Sequence, residues 1–374
     1  MNDVHTREVE KLLADFGAGR NSRVPMSFCC DEQVWLAVAG RGFREFYTDP
    51  ETHLAVQLEG KRWFCDNVVG DMPPGYPDCW QIGVQLWMEE NEFFGCEVVY
   101  QEDDYAWGQP LPLDREDLLR HLSDIDPDEQ VRRGSAFAMY QALVQLAAGR
   151  TFEERPIVVA PPGGGTHGIF TKAAEIRGLD AICIDLIEVP DFVDKLLEIV
   201  TEKTIARIKA WHKLIHGAEL ELPTAGGFSF CDDSLTMISP ETYEKAVLPH
   251  HQRLCDAMTT GPRGIHLCGR ASQHYPTLRH KLNVTHIDGP GPFVDHGFYL
   301  KTLGPRFAFT AQTDHSVLAY GSPQDIDTMM RGLLTPEAKV PGRFSILGYV
   351  TKDTPLENVR ACYDAARRYG TISA

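Results

Sequence analysis

Short apolar segments alternate with helix-start signals along the second half of the chain, and this alternation limits the folds open to it. The apolar segments are rich in β-branched and aromatic residues, as strands buried on both faces should be. They cover residues 156–160, 227–231, 264–268, 284–287, 307–311 and 344–350. Repeated strand-then-helix units are typical of parallel β topology.

Helix starts between these segments have a common form, a hydroxyl residue followed by proline. They are Ser239-Pro240, Ser322-Pro323 and Thr354-Pro355. A hydroxyl group can cap a helix, and proline fits the first helical position. Thr354 and Glu357 also have the spacing of a capping box. A long helix pattern covers residues 192–216.

Two further strand candidates, residues 24–30 and 96–101, lie in the less regular first part of the chain. A total of about eight strands predicts an α/β protein, a closed (β/α)8 TIM barrel with N-terminal helical or irregular decoration. We expect one domain over residues 1–374, with an N-terminal helix within residues 1–22. A doubly wound open sheet is the alternative, but no Gly-x-Gly-x-x-Gly follows an early strand.

Charge and composition exclude several classes of function. The net charge of −17 argues against nonspecific nucleic-acid binding, which needs a basic surface. No long apolar run or cationic stretch indicates a membrane partner. Met1 leads into a charged segment instead of a secretory signal, and the ten cysteines form no regular framework. We therefore expect reduced thiols and a cytoplasmic protein.

The tetrapeptide His266-Leu267-Cys268-Gly269 is the strongest chemical signal. It ends a strand candidate, and alternate strand residues point to the same face, so His266 and Cys268 could hold one metal ion together. Imidazole and thiolate suit zinc better than magnesium or calcium. The alternative is chance spacing with Cys268 as a small core residue.

In a (β/α)8 barrel the active site is built at the carboxyl ends of the strands. The polar residues that follow these ends are His167, Asp232, Asp233, Asp288, Gln312, His315 and Tyr349. A helix-capping role is the alternative for the Asp232-Asp233 pair and for His315. His250 and His251 lie on a helix pattern and are expected to be packed or solvated. The acidic runs 89–92 and 102–104 are expected to be solvated faces.

Several motifs in order and spacing resemble the uroporphyrinogen decarboxylase superfamily, which includes the cobalamin-dependent methyltransferases. They are Arg23-Val24-Pro25, residues 168–178, Asp232-Asp233-Ser234, residues 238–243, Val247-Leu248-Pro249, His266-x-Cys268-Gly269, residues 320–325 and residues 353–358. The resemblance implies the (β/α)8 fold. The arginine-rich Arg-Gln-Ala-Gly-Arg-Tyr segment of true decarboxylases, which binds tetrapyrrole carboxylates, is missing after Pro25.

The His-x-Cys pair instead resembles the zinc site of methylcobalamin:thiol methyltransferases, which implies zinc on His266 and Cys268. That branch takes a third ligand, a cysteine, from the last barrel strand, but residues 346–351 contain none and Cys362 lies on the next helix. Asp232, Asp233, Asp288 or His315 would have to complete the shell. Such donors make the metal harder and suit an oxygen-linked methyl group.

We therefore predict a methyltransferase that moves a methyl group between a small O- or N-methylated donor, or a thiol acceptor, and a corrinoid on a separate partner protein. The predicted catalytic residues are His266, Asp232, Asp233 and His315, and the predicted substrate-binding residues are His167, Asp288, Gln312 and Tyr349. A metal-free site with His266 as proton donor is an alternative mechanism. A carboxy-lyase and a noncatalytic binding protein are alternative functions. The sequence does not determine the oligomeric state, although enzymes of this size are frequently symmetric homodimers.

Overall fold

A computed structural model describes residues 3–73 and 75–372, with side chains from residue 6 onwards. Its strands, in chain order, are β1 Met26–Cys30, β2 Trp80–Ile82, β3 Val98–Val99, β4 Trp107–Gly108, β5 Thr151–Phe152, β6 Arg155–Val159, β7 Phe228–Cys231, β8 Arg263–His266, β9 Val284–Asp288, β10 Ala308–Gln312 and β11 Phe344–Val350.

The helices follow most of these strands. In chain order they are α1 Asp3–Gly17, α2 Glu32–Ala39, α3 Phe43–Thr48, α4 Pro50–Asn67, α5 Glu89–Phe93, α6 Arg115–Ser123, α7 Pro127–Arg133, α8 Ser135–Ala147, α9 Ile169–Arg177, α10 Leu179–Glu188, α11 Pro190–His216, α12 Pro240–Thr242, α13 Leu248–Met258, α14 Tyr275–His280, α15 His296–Thr302, α16 His315–Tyr320, α17 Pro323–Leu333 and α18 Leu356–Tyr369. Among the helices of the described chain, none has the length and apolar character needed to span a bilayer.

Eight parallel strands form the predicted (β/α)8 barrel. Six of them pair in the order β1-β11-β10-β9-β8-β7, and β2 pairs with β6 in a second arc. Backbone hydrogen bonds of the adjoining loops join the two arcs. Asp71 N–H donates to the Met26 carbonyl over 2.7 Å, and Cys231 N–H donates to the Thr166 carbonyl over 3.1 Å. The carboxyl ends of all eight strands therefore meet at one rim.

Most predicted strands are confirmed to within two residues at each end. Residues 96–101 are the exception, because only Val98–Val99 is a strand, and it forms an antiparallel pair with β4 outside the barrel. The second barrel strand, β2, was not predicted. It has only three residues and follows a loop rich in proline and glycine, so the sequence carries no strand pattern there.

Two of the three predicted helix starts are confirmed. Ser239 accepts a hydrogen bond from the Thr242 N–H, and Ser322 forms a reciprocal capping box with Asp325. The capping box predicted for Thr354 is wrong. Its hydroxyl oxygen accepts from the Thr351 N–H over 3.0 Å, and α18 begins two residues later without a side-chain cap.

Close packing of β1 against β11 requires a glycine in the last strand. Gly348 is opposite Phe28 in the parallel register, and the Phe28 ring fills the space above it. A Cβ atom at position 348 would lie 2.3 Å from that ring. Since the ring is itself almost fully buried, it has little room to move.

Replacing Gly348 with alanine should lower the free energy of unfolding by about 1–3 kcal/mol, because the added methyl overpacks the contact between the strands. Gly332→Ala is the control, since no atom lies within 4 Å of a Cβ at that helical position. The control should leave stability unchanged or slightly higher. Urea unfolding followed by circular dichroism measures both variants, and an unperturbed Gly348→Ala protein would contradict the packing argument.

Candidate active site at the barrel mouth

A cavity of about 660 Å³ opens at the carboxyl ends of β7, β8 and β9. Four of the predicted site residues line it: His167, Asp233, His266 and Asp288. The opposite wall comes from the loop before α5, from α5 itself and from α11. The size suits a small-molecule substrate.

Asp233, His266 and Cys268 form a compact cluster of possible metal ligands. One ligand atom from each residue lies within 4.8 Å of the others. His266 Nε2 is 2.8 Å from Cys268 Sγ, and the Cys268 N–H donates to Asp233 Oδ1 over 2.7 Å. The two-residue spacing at the end of β8 brings the imidazole and the thiol together, as the strand periodicity predicts.

Asp288 orients the imidazole of this cluster. It is opposite His266 in the register of β8 and β9, and its Oδ2 atom is 2.8 Å from His266 Nδ1. Hydrogen bonds to Asp288 and to Cys268 raise the pKa of His266 to about 10. A metal ion would therefore have to displace a proton from this ring. Asp288, predicted to bind substrate, is in the place of the carboxylate that typically supports a metal-bound histidine.

The donor set fits zinc. Nitrogen, sulfur and carboxylate oxygen are its usual ligands, and three protein ligands leave a fourth position for substrate in catalytic zinc sites. The ligands come from the end of β8 and from the 3-10 turn Asp233–Met237 after β7. Of the four candidates for a third ligand, Asp233 is the one that joins His266 and Cys268.

Asp232 points away from the cavity, in contrast to the catalytic role predicted for it. Its fully buried carboxylate accepts hydrogen bonds from the Phe170 and Thr171 N–H groups, the Thr171 hydroxyl and His251. It thus caps α9 from a distant part of the chain. Gly168 has a φ of 98°, and a Cβ there would be 2.6 Å from this carboxylate. His251 is packed, as expected.

His315, Tyr349 and Gln312 do not line the 660 Å³ cavity. The His315 ring stacks on Tyr349 with centroids 4.9 Å apart, and the Tyr349 hydroxyl donates to Asp31 Oδ2 over 2.7 Å. The Tyr105 hydroxyl donates to the same oxygen. Gln312 is buried at the end of β10. His315, Tyr349, Asp31 and Tyr105 thus form a separate polar group beside β1 and β11. The predicted roles of His315, Tyr349 and Gln312 therefore lack contact with the cavity.

A buried ion network forms the opposite wall, and the expectation that residues 89–92 are a solvated face is wrong. Glu90 is buried, and its Oε1 accepts from Arg207 Nη2 over 2.7 Å. Arg207 also donates to Glu89, which accepts from the Trp211 indole N–H over 2.8 Å. Burial alone would raise the pKa of Glu90, but Arg207 and His167 hold it well below its usual range.

His167 belongs to this network. Glu90 Oε2 accepts from the His167 backbone N–H over 2.8 Å and is 2.9 Å from its Nδ1 atom. The imidazole also packs edge-on to Trp87, with ring centroids 6.2 Å apart. Nε2 has no hydrogen-bond partner among residues 3–73 and 75–372. The ring is therefore fixed along one edge and open to the cavity along the other.

Sequence reasoning missed Glu89, Glu90 and Arg207, although one signal was present. In the 192–216 helix pattern, Arg207 falls on the apolar stripe with Val200, Thr204, Ile208 and Trp211, all of them buried in α11. A cation on the buried face of a helix needs a buried anion, and the acidic run between aromatic residues 87 and 93 supplies it.

A (β/α)8 barrel with a candidate metal centre at its mouth is the class that this geometry defines. The family model for uroporphyrinogen decarboxylase (URO-D) matches residues 20–369. The chain therefore belongs to the uroporphyrinogen decarboxylase family, which confirms the predicted superfamily.

Proteins similar to this chain include methyltransferases of Methanosarcina mazei. A methylated-thiol–coenzyme M methyltransferase is 24% identical over 217 residues, 57% of this chain and 52% of the relative, so the match spans about half of that protein. The methylcobamide:CoM methyltransferase MtbA is 24% identical over 294 residues, 75% of this chain and 77% of the relative. The structure of a methyltransferase from the same organism matches with a TM-score of 0.63 and 17% identity, covering 96% of this chain and 98% of that one.

Arg207→Met should lower the free energy of unfolding by about 3–5 kcal/mol at pH 7, because the buried Glu90 and the half-buried Glu89 lose their cation. Arg207 lowers the pKa of Glu90 in the folded protein. The stabilisation from this ion pair is therefore present above the glutamate pKa of the unfolded chain, about 4.3, and is lost as pH falls. Without Arg207 the two carboxyl groups take up protons more readily. The difference in unfolding free energy between wild type and Arg207→Met should therefore be smaller at pH 5 than at pH 7.

Arg253→Met is the matched control, because Arg253 pairs with Glu202 on the surface. Its loss should cost less than about 1 kcal/mol at either pH. Urea unfolding at both pH values gives the comparison. If Arg207→Met lost the same unfolding free energy at pH 5 and at pH 7, the claim that Arg207 stabilises the fold through its charge would be contradicted.

Proposed function

We propose that the protein is a zinc-assisted methyltransferase that moves a methyl group between a small methylated donor, or a thiol acceptor, and a corrinoid carried by a separate protein. The single observation that carries this proposal is the cluster of Asp233, His266 and Cys268 at the edge of a substrate-sized cavity. The names of both similar methyltransferases support the reaction class, and the name of the methylcobamide:CoM methyltransferase supports the corrinoid.

His266, Cys268 and Asp233 would hold the zinc ion, and Asp288 would orient His266. When bound, zinc supplies Lewis acidity at the open position. A carboxylate in place of a second thiolate makes that metal harder, which favours an oxygen-linked methyl donor over a soft thiol. Trp87 and His167 face the cavity and would bind and orient the substrate, while Asp232 keeps the start of α9 in place.

A carboxy-lyase receives less support from the cavity. Recognition of substrate carboxylates needs free guanidinium groups or lysines. Among the described residues that line the cavity, the cation of fixed charge is Arg207, and Glu89, Glu90 and the Gly165 carbonyl already occupy its guanidinium. A decarboxylase substrate with several carboxylates would therefore find no free guanidinium or ammonium group among these described residues.

Purified protein mixed with cob(I)alamin and a panel of O-, N- and S-methylated donors should produce methylcobalamin, visible as a change in the cobalt absorption spectrum. Running methylcobalamin with thiol acceptors tests the reverse direction. If zinc-loaded protein showed no turnover in either direction, the proposed function would be contradicted.

Zinc should bind near one ion per chain and be lost in Cys268→Ala, because two remaining ligands hold zinc poorly. Cys231→Ala is the matched control, since Cys231 lines the same cavity outside the ligand cluster and should retain the metal. Asp288→Ala should weaken zinc binding by about 10–100-fold through loss of the oriented imidazole. Metal analysis and titration with a zinc chelator measure all three, and equal zinc in Cys268→Ala and wild type would contradict the ligand assignment.

A further inference from the structure

The pair of His167 and Glu90 is not used by metal binding, yet it faces the same cavity. Glu90 is a carboxylate, so it accepts the Nδ1–H of His167 and fixes the ring in one orientation. The free atom is then Nε2, which can take up a proton and give it back. A carboxylate that orients a histidine through Nδ1 is the arrangement of general acid–base catalysts.

The carboxylate of this pair is itself immobilised. Arg207 holds the other oxygen of Glu90, and both side chains are buried. Lys172, buried beneath them, adds a second cation that favours the charged form of Glu90. A histidine that only packed against the wall would not need a charged, doubly anchored partner, so the arrangement indicates preorganisation for proton transfer.

The charged groups around His167 indicate which kind of leaving group needs that proton. Glu89 and Glu90 from α5, Asp233 after β7 and Asp288 from β9 surround the cavity, with Cys231 and His266 on the barrel side. Arg207 from α11 is occupied by Glu89 and Glu90. His266 is likewise paired with Asp288, so no described cation of the cavity wall is free to hold an oxyanion released on the His167 side, and a proton from His167 removes that charge.

We propose that His167 is the catalytic acid for an O-methyl donor, an inference that rests on the proposed function and narrows its substrate class to methyl ethers. The methyl carbon–oxygen bond breaks and its electron pair stays on oxygen, while the electron pair of the Co(I) corrinoid forms the new bond to the methyl carbon. The leaving oxygen takes the proton from His167 Nε2 and departs as an alcohol or phenol. Water then returns a proton to His167. A quaternary amine leaves as a neutral molecule and needs no such proton.

Anisole and its ring-substituted forms are the probes, because their phenol leaving groups differ in basicity. With zinc-loaded protein and cob(I)alamin, His167→Gln should lower kcat by about 100-fold or more and steepen its dependence on the pKa of the phenol. Imidazole added to His167→Ala should restore part of the rate, because the cavity is open to solvent. His216→Gln, at an exposed histidine of α11, is the matched control and should change neither quantity.

Each outcome decides between separate claims. Wild-type turnover with an unchanged leaving-group dependence in His167→Gln, or without imidazole rescue of His167→Ala, overturns the acid role and leaves the methyltransferase standing. Wild-type turnover of tetramethylammonium but of no anisole overturns the ether class and the acid role together. No turnover of any donor or acceptor removes the proposed function itself. Unfolding curves equal to wild type for both His167 variants ensure that a lost rate is chemical.

Discussion

The ion network of Arg207, Glu89 and Glu90 holds one wall of the cavity together. It joins α5, which lies in the irregular first third of the chain, to the long helix α11, more than one hundred residues away. Burying charged side chains such as Glu90 and Arg207 is costly unless they are paired. The network therefore fixes α5 in one position, and with it the wall that carries Trp87 and orients His167.

The cluster of possible metal ligands depends on a simpler constraint, the geometry of parallel strands. Adjacent strands β8 and β9 place His266 beside Asp288, and the residue two beyond His266 returns to the same face. The 3-10 turn after β7 brings Asp233 to the backbone of Cys268. No long side-chain network is needed here, because the sheet register determines the distances.

This difference explains what could be predicted from sequence. The barrel, its last six strands and the His266–Cys268 pair follow from local periodicity, and these predictions agree with the structure. Asp232 and Asp233 are neighbours with opposite orientations, and the helix that Asp232 caps begins more than sixty residues earlier. Glu90 and Arg207 recognise each other across an even longer separation. Pairing of this kind depends on the folded arrangement of distant elements, so a local pattern can suggest the residues but not their partners.

The join between the two arcs of the barrel has a consequence for how such a protein can diversify. The same short loop supplies Thr166, whose carbonyl helps to close the wall, His167, which faces the cavity, and Gly168, which makes room for the Asp232 carboxylate. A substitution that shifts this loop would disturb closure, helix anchoring and the cavity at once. New substrate preferences should therefore arise mainly from cavity-lining residues outside this loop.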